Sequence, residues 1–157
     1  MEFPALNQPA PDFSLKNQEE QVISLNALKG KNVVLYFYPK ASTPGCTVQA
    51  CGIRDTKAEF EALNTVVLGV SPDPVKRIVN FVTKQSLNFD LLSDEDHSVA
   101  DAYGVWGPKK FMGREYDGIH RVTFIIDAKG QLVHIMGKVK TKTHHDDVIE
   151  YIKENLA

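Results

Sequence analysis

The sequence predicts an α/β fold in which a central mixed β-sheet is flanked by helices and preceded by an N-terminal β-hairpin. Three observations carry this. Two β-branched and aromatic runs, Lys31 to Tyr38 and Thr65 to Val70, read as buried strands. A stretch with helical spacing follows each of them, so strand and helix alternate through the middle of the chain. Two later runs, Arg121 to Ile126 and Gln131 to Met136, are joined by Asp127-Ala128-Lys129-Gly130 and read as a closing hairpin.

In chain order, Pro9-Ala10-Pro11 is an extended lead-in. Asp12 to Leu15 and Gln21 to Leu25 alternate apolar and polar residues around a polar turn, which reads as the N-terminal hairpin. Ser24 or Asn26 caps a short turn of helix that Gly30 stops. The strand to Tyr38 ends at Pro39, which has no N–H to offer a ladder. From Cys46 to about Leu63 the spacing is helical, with Val48, Ile53, Phe60 and Leu63 inward and Arg54, Asp55, Lys57 and Glu59 outward. Ser71-Pro72-Asp73-Pro74 breaks the next strand and opens a helix to about Gln85, with Ile78, Phe81 and Val82 inward. Phe89 to Leu92 is a short strand, and Asp94 to Tyr103 a short helix stopped by Gly104. Val105 to Ile119 reads as a long loop, of a length that usually marks function or mobility. A last helix runs from about Thr143 to Asn155, with Val148, Ile149 and Ile152 inward. This order suits a thioredoxin-like sheet covered on both faces, with residues 1–157 forming one domain.

The 157 residues, 43% hydrophobic and 24% charged, are ordinary for one globular domain with a sizeable core. A net charge of −2 makes no electrostatic case for nucleic acid or an anionic membrane. The start, Met1-Glu2-Phe3-Pro4, lacks a basic segment followed by an apolar one, and no apolar run approaches the ~20 residues that span a bilayer. The expected compartment is therefore cytoplasmic, where two cysteines are free, catalytic or redox-active rather than a static staple. No metal is expected, because Cys46 and Cys51 lack Cys-x-x-Cys spacing and no nearby His or acid has ligand spacing. The histidines read as surface groups, and Gln49 as a solvated or capping residue.

The stretch from Pro39 to Cys51 carries the chemistry. Ser42 and Thr43 are good N-caps, and Pro44 suits the first helical position. With Thr43 as the cap, Cys46 lies in the first turn, among N–H groups without intrahelical partners and at the positive end of the helix dipole. Both favour a thiolate. Right-handed crossovers put this turn just beyond the carboxyl end of a central strand, where α/β active sites commonly lie. An ordinary cysteine is only a few per cent thiolate at neutral pH, and making it mostly thiolate takes ~2.7 kcal/mol. A helix N-terminus supplies ~0.3–1 kcal/mol, at most ~2. A fixed cation is needed for the remainder. Taken singly, these residues leave bland readings open. Thr43 can be only a cap, Pro39 only a strand terminator, Cys51 a small buried hydrophobe and Arg121 the ion-pair partner of an acid in a neighbouring helix.

The pattern Pro39-x-x-x-Thr43-x-x-Cys46 resembles the active-site signature of peroxiredoxins, and Cys51 resembles the second cysteine of the bacterioferritin comigratory protein, or peroxiredoxin Q, subgroup. The resemblance continues through Leu91-Leu92-Ser93-Asp94, Gly104-Val105-Trp106-Gly107 and Gly118 to Phe124, and so covers nearly the whole chain. It implies a thiol peroxidase acting on hydrogen peroxide and organic hydroperoxides without a cofactor. Cys46 would become a sulfenic acid, Cys51 would resolve it as an intramolecular disulfide, and thioredoxin or glutaredoxin would restore the pair. Arg121 is nominated as the missing cation, Thr43 as a partner of the peroxide and Pro39 as the residue that shapes the pocket. A monomer is expected, with a weak dimer as the alternative, and no nucleic-acid or membrane partner. Two other readings stand beside this one. One is a disulfide oxidoreductase of the same fold, against which the absent Cys-x-x-Cys counts. The other is a redox sensor or holding chaperone.

The spacing adds an expectation about motion. On one continuous α-helix, residues five apart have Cα atoms ~8.6 Å from each other. A disulfide needs about 4.4–6.8 Å. An intact helix therefore cannot carry a Cys46–Cys51 bond. The segment has to unwind locally, which Gly45, Thr47, Val48 and Gly52 favour.

Overall fold

The chain enters its sheet at an edge. In the computed structural model, which describes residues 2–156, the two-residue strand β1 (Gln8–Pro9) comes first, then the hairpin strands β2 (Ser14–Lys16) and β3 (Val22–Ser24). A single 3-10 turn, Leu25–Leu28, precedes Gly30, whose φ of 101° only glycine adopts freely. The body follows as β4 (Asn32–Phe37), α1 (Pro44–Asp55), α2 (Lys57–Ala62), β5 (Thr65–Ser71), α3 (Val75–Gln85), β6 (Asp90–Ser93) and α4 (Ser98–Ala102). The last third contains β7 (Trp106–Phe111), β8 (Arg114–Ile119), β9 (Thr123–Ile126), β10 (Gln131–Met136) and α5 (His144–Asn155).

Eight strands form one mixed sheet in the order β1-β10-β9-β4-β5-β6-β2-β3. β4, β5 and β6 are parallel, and β9 runs antiparallel to β4. This is the thioredoxin-like sheet that the sequence predicts. All six residues of β4 are buried, so its side chains serve both faces in alternation. Val34 and Tyr36 enter one cluster, with Ile53 of α1, Ile78 and Phe81 of α3, and Val148, Ile149 and Ile152 of α5. Val33, Leu35 and Phe37 enter the other, with Val99 and Ala100 of α4, Phe13, Phe124 and Leu132. Each such aliphatic or aromatic side chain contributes ~1.5–3 kcal/mol on burial. Among the described residues, no helix is long and apolar enough to cross a membrane.

The structure corrects several expectations. The stretch Val105 to Ile119 is not a loop but the antiparallel pair β7–β8, a sheet of its own. Its turn places Met112 at φ 51° and Gly113 at φ 80°, the two left-handed residues that a tight two-residue hairpin turn requires. Most of its side chains are exposed, so no buried face writes an apolar alternation into the sequence. The lead-in at Pro9 is a paired strand, with Gln8 opposite Leu132. The helix expected from Cys46 to Leu63 is two helices broken at Thr56, whose hydroxyl donates to the Gly52 carbonyl at 2.8 Å. Val48, expected inward, is 43% exposed, because the inward face of α1 is made by Cys46, Gln49, Ala50 and Ile53. The helix expected from Asp94 begins only at Ser98, because the Asp94 carboxylate accepts the N–H groups of Val99 and Ala100.

Candidate active site

Beyond Phe37 the backbone leaves the sheet at its carboxyl edge. Tyr38 N–H still donates to the Val70 carbonyl at 3.0 Å, and the half-buried Pro39 then ends the pairing. The next turn is held from behind by Asp73. This buried carboxylate accepts the Ala41 N–H at 2.7 Å and the Ser71 hydroxyl at 2.8 Å through one oxygen, Oδ2. Thr43 then takes the N-cap position with extended backbone, and Pro44 opens α1. The Thr43 hydroxyl does not cap the helix. It donates to the Lys40 carbonyl at 2.8 Å, which leaves its oxygen free to accept.

Cys46 therefore lies in the first turn of α1, 2% exposed, with a helix N-terminus around it. Arg121 arrives from the three-residue crossover between β8 and β9, just before β9 rather than as its first residue. Its Nη2 is 3.4 Å from Cys46 Sγ, and its Nη1 donates to Gln49 Oε1 at 2.6 Å. Among the described residues Arg121 makes no ion pair with an acid, so its positive charge faces the sulfur without a competing anion. A guanidinium donor on a thiolate is a charge-assisted bond, roughly twice as strong as a neutral one. Lys109 of β7 is a second cation nearby. Its ammonium donates to the Ile119 carbonyl at 2.8 Å, and burial and the Arg121 charge lower its pKa.

Gln49 and His144, expected on the surface, are 0% and 1% exposed. Arg121 can only donate, so it takes the Gln49 carbonyl oxygen. The Gln49 amide then points at His144 Nδ1, 3.2 Å away. His144 Nδ1 must accept, so its Nε2 carries the proton and donates to Thr123 Oγ1 at 2.8 Å. Burial drives the His144 pKa down to about 4, with Arg121 and His145 pushing the same way and Asp147 opposing. The imidazole is therefore neutral at physiological pH. Gln49, His144, Thr123 and Asp73 are the site residues missed at the sequence level. Gln49 alone carried a local signal, since three residues after Cys46 it returns to the same helix face.

Tyr36 and Tyr38 line the cluster beneath Cys46, and among the described residues neither buried hydroxyl has a hydrogen-bond partner. Burial, the neighbouring Tyr38 and the cysteines raise the Tyr36 pKa well above its ordinary value, so it stays a phenol. Cys51 is different. It is half-buried on the same helix, and its thiol is 3.6 Å from Gln85 Oε1. Both cysteines are free thiols. The expected residues thus converge unequally. Cys46 and Arg121 meet, Thr43 and Pro39 frame the approach to the helix, and Cys51 lies apart. Among the described residues no three His, Cys, Asp or Glu side chains come together as a metal site. What remains is a shielded sulfur with a fixed cation and free N–H groups beside it, which suits nucleophilic attack on a weak bond.

Comparison with known proteins agrees with this chemistry. The family model described as the AhpC/TSA family matches residues 6–135. The Escherichia coli protein named Peroxiredoxin Bcp is 51% identical over 146 residues, covering 93% of this chain and 94% of its own. Peroxiredoxin Q of Xanthomonas campestris superposes with a TM-score of 0.89 at 37% identity, covering 96% of this chain and 97% of its own. The bacterioferritin comigratory protein of Xanthomonas campestris, described for its alkyl peroxide reduction activity, gives a TM-score of 0.88 at 36% identity, with coverages of 96% and 97%.

Proposed function

This chain belongs to the AhpC/TSA family and is a peroxidase of the peroxiredoxin kind, and from that premise we propose how its residues divide the work. Cys46 is the nucleophile. Its thiolate attacks the terminal oxygen of a hydroperoxide, the O–O bond breaks, and the leaving oxygen takes a proton and departs as water or an alcohol. Cys46 is left as a sulfenic acid. The Cys51 thiol then attacks the Cys46 sulfur, water leaves, and an intramolecular disulfide forms. An external dithiol, thioredoxin or glutaredoxin, reduces it by exchange. Hydrogen peroxide and alkyl hydroperoxides are both substrates in this reading, the latter supported by the Xanthomonas campestris relative. Both cysteines belong to one helix, so the cycle needs no second subunit, and we read the protein as acting as a monomer.

The observation that carries the assignment is the Arg121 fork, with one nitrogen 3.4 Å from Cys46 Sγ and the other 2.6 Å from Gln49 Oε1. A guanidinium held in this way can stay on the sulfur and also meet the oxygen that gains charge as the O–O bond breaks, which a lysine does less well. Thr43, whose hydroxyl oxygen can still accept, receives the proton-bearing end of the peroxide, and Pro39 walls the pocket. Turnover with thioredoxin, glutaredoxin and glutathione offered in turn tests the reading. Consumption of both peroxides with at least one dithiol, lost in Cys46→Ser, is the expected result. Consumption that survives Cys46→Ser would remove Cys46 from its role.

A further inference from the structure

Two consecutive histidines open α5, and both grip the same turn of α1. His144 accepts the Gln49 amide at 3.2 Å and anchors to Thr123 on β9 at 2.8 Å. His145 lies against Gly52, where a Cβ would collide with its ring, and among the described residues its buried Nδ1 has no hydrogen-bond partner. Gln49 and Gly52 flank Cys51 within the segment between and just beyond the two cysteines. This turn has to come apart for Cys46 and Cys51 to bond, since on an intact helix they are too distant. Gln49 cannot follow the unwinding chain and keep His144. Opening therefore breaks the hydrogen bond between the Gln49 amide and α5, and draws out a side chain now fully buried.

We propose that His144 is a positioning residue for the peroxidase cycle, a latch that holds α1 wound between Cys46 and Cys51 and sets how readily that segment opens for resolution. The proposal rests on the assignment of Cys46 and Cys51 above. His144 touches neither substrate nor sulfur and acts through Gln49. The latch decides a competition. A sulfenic Cys46 in the wound helix stays exposed to a second peroxide and to over-oxidation, whereas the same group in the opened segment meets Cys51. A looser latch therefore protects Cys46 from over-oxidation, and a tighter one leaves it vulnerable.

The side-chain chemistry supplies its own controls. Asparagine offers an acceptor near the position of the histidine Nδ1, and glutamine offers a donor near Nε2. His144→Asn keeps the Gln49 tie and loses Thr123, while His144→Gln keeps Thr123 and loses the Gln49 tie. Amide exchange over residues 46–54 is followed in the reduced protein, without peroxide. His144→Gln and His144→Phe are expected to exchange about tenfold faster than the parent, and His144→Asn to stay within about threefold of it. The peroxide concentration that half-converts Cys46 to sulfinic acid should rise in the same order. Nitrogen NMR should find the parent His144 neutral with its proton on Nε2. Equal exchange in the Asn and Gln variants, whether fast or slow, would overturn the latch, as would a proton on Nδ1. If the parent Cys46 never reacts with peroxide, the site assignment falls and the exchange order alone judges the tie.

Discussion

The two cysteines of α1 occupy opposite environments on one helix. Cys46 is buried in the first turn, with a guanidinium 3.4 Å from its sulfur. Cys51 is half-buried a turn and a half on, its thiol donating to a glutamine 3.6 Å away, and among the described residues no cation donates to its sulfur, although Arg54 lies within electrostatic reach. Membership of one helix alone therefore does not make a cysteine a nucleophile. What sets Cys46 apart is the Arg121 guanidinium on its sulfur together with the unpaired N–H groups of the first helical turn.

Removing either sulfur breaks the comparison most severely. Cys46→Ser should abolish peroxide consumption. Cys51→Ser should consume roughly one equivalent and then stall with a sulfenic or over-oxidised Cys46 visible by mass spectrometry. Normal thioredoxin-linked turnover in the Cys51 variant would show that the division of labour is wrong. The next largest effect is expected at the cation. Arg121→Met should slow the peroxide step by about 10²–10³-fold, the cost typical of losing one charge-stabilising donor, with the melting temperature little changed. Stopped-flow kinetics measures this, and a rate within a few-fold of the parent would leave Arg121 a structural residue.

Smaller effects sharpen the account of what seats the helix. His144 has a pKa of about 4 in the fold against 6.5 ordinarily, so the unfolded chain takes up the proton first as pH falls. Its contribution to stability is complete above about pH 6.5 and is lost progressively down to about pH 4, at most on the order of 3 kcal/mol. Denaturant unfolding at pH 7.5 and 4.5 should show a smaller pH difference in His144→Asn than in the parent. An identical difference would mean that His144 is not buried neutral. Gly52→Ala should cost ~1–3 kcal/mol by forcing His145 off the helix, measurable in the same titration.

These residues also mark where sequence reading stops. β4, β5 and β9 are legible because burial on both faces concentrates β-branched and aromatic residues in them, and β10 because a turn signal joins its apolar run to β9. The β7–β8 hairpin is not, because its pairing hides no face and so leaves no apolar pattern. Pro39, Thr43 and Cys46 stand in a spacing that resembles a known signature, and Arg121 lies in a later run, Gly118 to Phe124, that resembles the same family. Gln49 and His144 stand in neither, and their contact spans 95 residues. It exists only because α5 packs on α1, so a glutamine and a histidine that look solvated in isolation became the buried support of the guanidinium.

Two thiols five residues apart on one helix thus differ in their first reaction. Trapping tests this most directly. The reduced protein is mixed with one equivalent of hydrogen peroxide together with a sulfenic-acid trap, and the adduct is mapped by peptide mass spectrometry. The label is expected on Cys46 alone, and a Cys46–Cys51 disulfide within single chains when the trap is omitted. A label on Cys51, or a disulfide only between chains, would contradict it.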